Sequence, residues 1–205
     1  MADSWNHRII KFSSDGKFIT KWGSEGSGKY QFYAPGGIMV DGAGNVYVAD
    51  TWNHRIIKFS PDGKFITKWG SRGSGNYQFN YPRGIAADAA GNVYVVDTDN
   101  HRIMKFNSEG KFITKWGGKG LGNYQFDTPH SIAVENGVNV YVADTCNHRI
   151  VQFSLDGKFI TMWGEEGSGS NQFSYPQGVA IDASGNVYVA DTGNNRIMKF
   201  APQKK

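Results

Sequence analysis

Asn6-His7-Arg8 is the first copy of a motif that returns four times, each copy 47 residues after the last. A fixed period of this length, with no insertion or deletion, is typical of a repeat architecture in which each unit buries its apolar face against the next. Residues present in every copy are expected to serve the repeat, and function is to be sought where the copies differ. The later copies are Asn53-His54-Arg55, Asn100-His101-Arg102, Asn147-His148-Arg149 and Asn194-Asn195-Arg196.

Residues 37–84 form one full unit, and its pattern predicts four short strands joined by turns. Apolar, β-branched runs such as Val46-Tyr47-Val48-Ala49 alternate with turn clusters such as Ser60-Pro61-Asp62-Gly63. No stretch shows an apolar period of about 3.6 residues, so ordinary helices are not expected. Four-stranded units of about 40–50 residues match the blades of a β-propeller. We therefore predict an all-β propeller of four-stranded antiparallel blades.

The block from Tyr47 to Ile56, Tyr-Val-Ala-Asp-Thr-Trp-Asn-His-Arg-Ile, together with Pro82-Arg83-Gly84-Ile85-Ala86, resembles the NHL repeat. The resemblance covers essentially the whole chain. It implies a propeller, commonly six-bladed, and several kinds of function: RNA or protein recognition beside RING-type ubiquitin ligase domains, bacterial sensing, and lyase activity with a metal in the central channel. The chain lacks a RING-like Cys/His cluster, so ligase activity does not follow from it alone.

The strand motifs occur in unequal numbers, and their counts predict a split blade. Trp-Gly strand ends and Pro-led first strands occur four times each, whereas Asn-x-Arg occurs five times. We therefore predict one domain over residues 1–205, with strands 3 and 4 of the split blade in 1–32. Its strands 1 and 2 lie in 174–200 together with one surplus strand 3, and 201–205 form a tail. The full blades are predicted at 33–70, 80–117 and 127–164.

Three assemblies satisfy this arrangement of strands. The first is a closed four-bladed monomer in which the two chain ends pair within the split blade. The second is a head-to-tail homodimer that shares two split blades, and the third is a fragment of a larger propeller. Head-to-tail contacts close into a ring only if the rotation between units allows it.

The charge of the chain is separated by repeat. The formal net charge is +4, but residues 48–94 carry six basic and three acidic side chains, whereas residues 142–188 carry two and five. Opposed charges on different blades favour recognition of a protein or peptide over a continuous path for nucleic acid.

The ends and the cysteine content bear on location. No apolar run approaches the ~20 residues of a membrane span, and Met1-Ala2-Asp3-Ser4 has no signal-peptide pattern. Cys146 is the one cysteine, which fits a reducing compartment. We expect a cytoplasmic protein without a membrane partner.

Residues that are the same in every copy are interpreted as structural. Asp50 and Arg55 lie five apart across a hairpin, where a charge-assisted hydrogen bond would fix the turn. The histidines of the motif occur once per blade at equivalent positions, so they are not expected to converge on one metal ion. No metal site and no cofactor are predicted.

Candidate binding residues are those that differ between copies on one face of the propeller. In a four-stranded meander, the strand 2–3 hairpin and the crossover to the next blade, such as Gly70 to Gly84, share a face. Aromatic and arginine side chains supply most binding hot spots at interfaces. The predicted site on this crossover face consists of Trp52, Arg72, Arg83, Asp99, Lys119, His130 and Gln177.

We expect a non-enzymatic repeat scaffold that binds a protein or peptide through the crossover face. Single-stranded RNA is the first alternative, because arginine and tryptophan side chains can contact phosphates and stack on bases. A recently amplified or designed propeller without an evolved ligand is the second alternative. A channel-based lyase is the third, and His130 alone would offer it one general base without a partner.

Overall fold

Five antiparallel sheets follow one another along the chain, and each is one blade of a propeller-type array. A computed structural model describes residues 1–135 and 137–202. The three inner blades have four strands and the two terminal blades have three, and each strand pairs with the next in sequence. The predicted all-β class and antiparallel blades are confirmed.

The strands are short because turn residues interrupt every apolar run. Blade 1 contains β1 (Ala2–Asp3), β2 (Arg8–Phe12) and β3 (Phe18–Trp22), and the loop after it contains a parallel pair, β4 (Ser24–Glu25) and β5 (Gln31–Phe32). Blade 2 contains β6 (Ile38–Val40), β7 (Val46–Asp50), β8 (Arg55–Phe59) and β9 (Phe65–Trp69). Blade 3 contains β10 (Pro82–Ala87), β11 (Val93–Asp97), β12 (Arg102–Phe106) and β13 (Phe112–Gly117). Blade 4 contains β14 (Ser131–Glu135), β15 (Asn139–Asp144), β16 (Arg149–Ser154) and β17 (Phe159–Trp163), and blade 5 contains β18 (Pro176–Ile181), β19 (Val187–Asp191) and β20 (Arg196–Phe200).

In every blade, the hairpin before the strand that begins at the repeated arginine is one turn of 3₁₀ helix. The residue that follows it is a histidine or asparagine in the left-handed region, with φ near +52° at His54 and Asn195. A tight turn of this kind reverses the chain and starts the third strand at the repeated arginine. The five turns are Ser4–Asn6, Thr51–Asn53, Thr98–Asn100, Thr145–Asn147 and Thr192–Asn194.

The structure differs from the predicted split blade. Among the described residues, β2 and β3 belong to one sheet and β18 and β19 to another, and no pairing joins the two. The surplus third strand is accommodated because each terminal sheet keeps its own copy: β20 pairs with β19 along its length, and β1 pairs with β2. A hairpin partner a few residues away closes a short loop, whereas pairing the two chain ends requires the whole array to close. The chain is therefore five sheets in series and not a closed four-bladed ring.

The hydrophobic core lies between the blades. One side of blade 2, with Tyr47, Ala49 and Ile56, packs against the opposite side of blade 3, with Met104 and Phe106, and all five residues are fully buried. The same arrangement recurs between the other neighbouring blades. Each internal blade is thus stabilised on both faces by copies of itself, as expected for a repeat protein.

The first strands of neighbouring blades approach each other at backbone distance. A Cβ atom on Gly84 would lie 2.8 Å from the carbonyl oxygen of His130, so only glycine permits this contact. At the equivalent position of blade 4, the Ser131 hydroxyl accepts a hydrogen bond from the Val179 amide at 3.2 Å. This close packing sets the spacing of the residues that follow each blade's first proline.

Candidate functional site: the crossover face

The invariant arginine holds the crossover loop as well as the hairpin. Arg102 Nε donates to Asp97 Oδ2 at 2.6 Å, as the spacing predicts, and the remaining guanidinium nitrogens donate to backbone carbonyls of the preceding crossover loop. The acceptors are Ser74 at 2.6 Å, Gly75 at 3.0 Å and Gln78 at 2.9 Å. The loop that forms the crossover face is therefore fastened at three carbonyls by one buried side chain.

The aspartate of this pair carries a buried charge with several donors. Burial raises the pKa of the Asp97 carboxyl, against hydrogen bonds from the Asn80 amide, Asn100 and Arg102. In blade 5, burial raises the pKa of the Asp191 carboxyl less strongly, so the equivalent donors prevail and the pKa lies below its ordinary value. The pair is most dependent on its arginine in the inner blades, where water is excluded.

The histidine of each motif is a hydrogen-bond acceptor for the next crossover. His54 Nδ1 accepts from the Tyr81 amide at 3.1 Å, and His101 Nδ1 accepts from the Thr128 amide at 3.0 Å. Tyr81 and Thr128 have φ near +50°, a left-handed conformation that is unfavourable for residues other than glycine. The histidine thus compensates a strained residue directly before the proline, which supports its structural interpretation.

An aromatic ridge, formed by Tyr33, Trp52 and Tyr81, crosses the face from blade 1 to blade 3. The ring centroids of Tyr33 and Trp52 lie 5.5 Å apart, and those of Trp52 and Tyr81 lie 5.3 Å apart. His54 packs on Tyr81 at 4.6 Å, so the ridge rests on the repeated frame. Trp52 remains 49% exposed although it touches both tyrosines. Exposed rings held in fixed positions form a surface suited to binding.

A groove of about 670 Å³ runs beside the ridge. Trp52 and His54 line one part of it, and Lys68 and Arg72 line another. The backbone of Arg72 pairs with Phe79 in a parallel bridge, which fixes the base of its exposed side chain. The structure thus brings two predicted residues, Trp52 and Arg72, to one groove with an aromatic wall and a basic wall.

Arg83 and His130 are the second pair that the structure brings together. Each follows the proline of its blade: Arg83 lies in β10 and is exposed, and His130 directly precedes β14 and is half-buried. Burial, and after it the positive charge of Arg83, lowers the pKa of His130 to about 4. His130 is therefore neutral near pH 7, and the positive charge at this end of the inner strands belongs to Arg83.

Of the remaining predicted residues, Asp99 lies beside the ridge, because its amide donates at 3.1 Å to the carbonyl of Asn80, the residue before Tyr81. Asp99 is exposed in the blade 3 hairpin. Burial, and after it the positive charge of Arg72, lowers the pKa of His54, against the negative charge of Asp99. Gln177 is exposed on blade 5, and Lys119 is exposed in the crossover between blades 3 and 4. None of the contacts among the described residues joins Gln177 or Lys119 to the groove. The predicted residues thus do not form one site. Trp52 and Arg72 line the groove, Arg83 and His130 form a second pair, and Lys119 and Gln177 lie apart from both.

Sequence reasoning missed two members of the ridge, Tyr33 and Tyr81. The positions they occupy also vary between copies, with Asn80, Asp127 and Ser174 matching Tyr33, and Ala34, Thr128 and Tyr175 matching Tyr81. That variation was the available signal. Their closeness to Trp52 was not visible because Tyr33 and Tyr81 lie 19 and 29 residues from Trp52 in sequence, in the crossovers on either side of its blade.

The described residues also bear on two other kinds of site. No group of three or more histidine, cysteine, aspartate or glutamate side chains in ranges 1–135 and 137–202 is placed to hold a metal ion. Over the same ranges, no helix has the length and apolar character required to traverse a lipid bilayer.

The family comparison identifies four repeats. The NHL repeat matches residues 32–59, 79–106, 126–153 and 173–200, which together make up more than half of the chain. Each match begins at the buried phenylalanine of a crossover and ends with the third strand of a blade. No curated protein matches the chain as a relative.

Solved structures with a similar fold are larger than this chain. Virginiamycin B lyase from Staphylococcus aureus matches 97% of this chain and 64% of its own length, with a TM-score of 0.66 and 16% identity. A protein of unknown function from Bacteroides thetaiotaomicron gives 96% and 54%, with a TM-score of 0.70 and 19% identity. An auxiliary nutrient binding protein from the same organism gives 84% and 49%, with a TM-score of 0.64 and 17% identity. At these identities the likeness is one of fold, and the chain spans less than two thirds of each structure.

Proposed function

The chain belongs to the NHL-repeat family, and from this premise we propose that it is a non-enzymatic scaffold that binds a protein or peptide on its crossover face. The observation that carries the proposal is the aromatic ridge beside the basic groove. Trp52 and Arg72 are the residue types that dominate binding energy at interfaces. The backbone that carries these two residues is held by hydrogen bonds of the repeated arginines and histidines. Little conformational entropy is therefore lost when a ligand binds.

The charge distribution supports a peptide with an apolar segment followed by acidic groups. The apolar segment would lie on Tyr33, Trp52 and Tyr81, and its acidic groups would reach Arg72 and Arg83. Asp127, Glu165 and Glu166 lie in the later crossovers and would repel an acidic chain placed the other way. The basic and acidic groups together would set the direction in which a peptide binds.

A selection with random peptides displayed on phage tests the proposal. We expect enrichment of aromatic and acidic peptides on the immobilised chain, and a loss of affinity of about tenfold or more for Trp52→Ala, as for an interface hot spot. Ile113→Ala is the matched control, because Ile113 is an exposed apolar residue on the outer strand β13. No enrichment would contradict the proposal and favour a propeller without an evolved ligand.

Single-stranded RNA is the second candidate ligand, favoured by the same stacking surface beside Arg72 and Lys68. Binding to a random RNA pool at two salt concentrations distinguishes the two ligands. Phosphate contacts make RNA affinity fall steeply with salt, whereas a ridge-bound peptide depends on salt weakly. Steep, Trp52-dependent RNA binding without peptide enrichment would replace the peptide by RNA as the ligand.

The absence of catalysis is part of the proposal and is tested separately. Virginiamycin B lyase, which has a similar fold, has been solved with quinupristin. Quinupristin is therefore a direct probe for lyase activity of this chain. We expect mass spectrometry to find quinupristin unchanged after incubation with the chain. A product that is lost when His130 is replaced by Ala would establish an enzyme and overturn this part of the proposal.

A further inference from the structure

Every interface between neighbouring blades joins the same two surfaces. Blades 2, 3 and 4 each present a tyrosine, an alanine or valine, and an isoleucine to the blade that follows, as Tyr47, Ala49 and Ile56 do in blade 2. Three apolar residues of the following blade pack against them, which in blade 3 are Val95, Met104 and Phe106. The repeat of 47 residues carries both surfaces in every blade.

The same two surfaces are left uncovered at the two ends of the array. Blade 5 presents Tyr188, Ala190 and Ile197, the repeat equivalents of Tyr47, Ala49 and Ile56, and Ile197 is 69% exposed. We call these three residues, with Lys199, the exit face. The equivalent residues of blade 2, Tyr47, Ala49 and Ile56, are fully buried.

Blade 1 presents Met1, Ile10 and Phe12, the equivalents of Val95, Met104 and Phe106. We call these three residues, with Ser14, the entry face. Met1 and Phe12 are exposed and Ile10 is mostly buried, whereas all three equivalent residues of blade 3 are fully buried. An apolar groove of about 390 Å³ lies where blade 1 meets blade 2, lined by Met1, Ile10 and Phe12 on one side and by Ile38, Val40 and Val46 on the other.

Polar groups of the exit face also match the internal interfaces. Lys58 Nζ donates to the Ser108 carbonyl at 3.0 Å, across the boundary between blades 2 and 3, and Lys105 Nζ donates to the Leu155 carbonyl at 3.0 Å across the next. Lys199 occupies the same repeat position, with its Nζ 5.3 Å from the centroid of the Tyr188 ring. By the period of the repeat, its matching acceptor is the carbonyl of Ser14, at the other end of the array.

We propose that the exit face of one copy of this chain packs on the entry face of a second copy, so that copies associate head to tail. The contact between copies resembles the interfaces between blades, because it uses the same repeat positions and the same kinds of side chain. Lys199 then donates to the Ser14 carbonyl of the second copy. No strand is exchanged, which distinguishes this contact from a homodimer that shares split blades.

The contact uses two different surfaces, so it does not terminate by itself. Head-to-tail association gives a ring where the rotation between copies closes and an open chain where it does not. This proposal is independent of the peptide ligand, since the crossover face is left free.

Native mass spectrometry and sedimentation velocity of the 205-residue chain test the proposal. We expect multiples of the single-chain mass, with the multiples lost for Ile197→Glu and for Phe12→Glu, because each places a charge in an apolar contact. Ile66→Glu is the matched control: Ile66 is an exposed isoleucine on the outer strand β9, and its replacement should leave the multiples unchanged. Circular dichroism of each variant checks that the blades remain folded.

Mixing the two variants gives the decisive result. Phe12→Glu keeps an intact exit face and Ile197→Glu keeps an intact entry face, so an equal mixture should form a one-to-one complex and nothing larger. A single-chain mass for the unmodified protein from micromolar to millimolar concentration would overturn the proposal. So would a mixture that forms no complex, or self-association that persists in either variant.

Discussion

At the residue scale, one buried arginine per inner blade joins two elements that the chain would otherwise hold separately. Arg102 forms an ion pair with Asp97 in the hairpin and donates hydrogen bonds to three carbonyls of a loop that precedes it by about twenty-five residues. The loop bears Arg72 and leads to Tyr81, so the frame and the candidate site share this side chain. The repeated motif supports binding by fixing positions and not by contacting a ligand.

Replacement of Arg102 by Ala should destabilise the chain strongly. The change leaves Asp97 as a buried charge without its partner, which costs about 3–5 kcal/mol of unfolding free energy. Arg196→Ala is the matched control, because Arg196 makes the same bonds but is 30% exposed in its side chain. Urea unfolding of both variants measures the difference. Equal losses would show that burial of the pair does not matter.

His130 should make stability depend on pH. Its pKa lies near 4 in the folded chain against an ordinary value of 6.5, so the unfolded chain binds the proton more readily. Stability is therefore fully present above pH 6.5 and falls as the pH drops towards 4, by no more than about 2 kcal/mol after solvent screening of a half-buried group.

His130→Gln should remove this part of the pH dependence, measured as the difference in urea unfolding between neutral pH and a pH near the folded-state value of about 4. Arg83→Gln should reduce it without abolishing it, because burial is the larger cause of the lowered pKa. An unchanged pH profile in His130→Gln would show that the imidazole is solvated in the folded chain.

At the scale of the element, the turn between the third and fourth strands contacts the preceding blade in blades 3 and 4. Gly110 has φ +81°, and a Cβ atom there would lie 2.8 Å from ring carbons of Trp69 in blade 2. Gly157 meets Trp116 in the same way. The turn glycine thus satisfies two requirements, a left-handed backbone and a close contact with an indole ring.

Gly110→Ala and Gly63→Ala separate these two requirements. Gly63 has φ +82°, but no atom lies within 4 Å of the place that a methyl group would occupy, so its replacement incurs the backbone strain alone. Gly110→Ala adds a steric conflict with Trp69. We expect it to lower the free energy of unfolding by about 1–3 kcal/mol more than Gly63→Ala does. Equal melting temperatures of the two variants would show that Trp69 moves aside freely.

At the scale of the whole molecule, the array is open and its two ends are chemically complementary. The three inner blades are covered on both faces, whereas blades 1 and 5 are each covered on one. Local stability follows burial, so opening should begin at the terminal blades.

Hydrogen exchange offers a test in which the sequence is held constant. β12 and β20 have the same sequence, Arg-Ile-Met-Lys-Phe, but β12 is buried throughout and lies between two strands, whereas β20 ends its sheet. The amides of β20 that do not face β19 should exchange rapidly, and all amides of β12 should be protected. Similar protection would mean that another strand covers β20, as in a shared blade and unlike the stacked contact proposed above.

The sequence by itself determined the repeat, the four-stranded blade and the Asp–Arg pair, because these depend on residues close together along the chain and on a period that needs no geometry. It also placed Trp52 and Arg72 on one face. Only the tertiary structure decided that Tyr33 and Tyr81 complete a ridge with Trp52, and that the chain ends form two separate sheets. The two identical strands give the physical reason: Ile103 is fully buried and Ile197 is 69% exposed, since burial depends on which blade lies alongside and not on the residues of the strand.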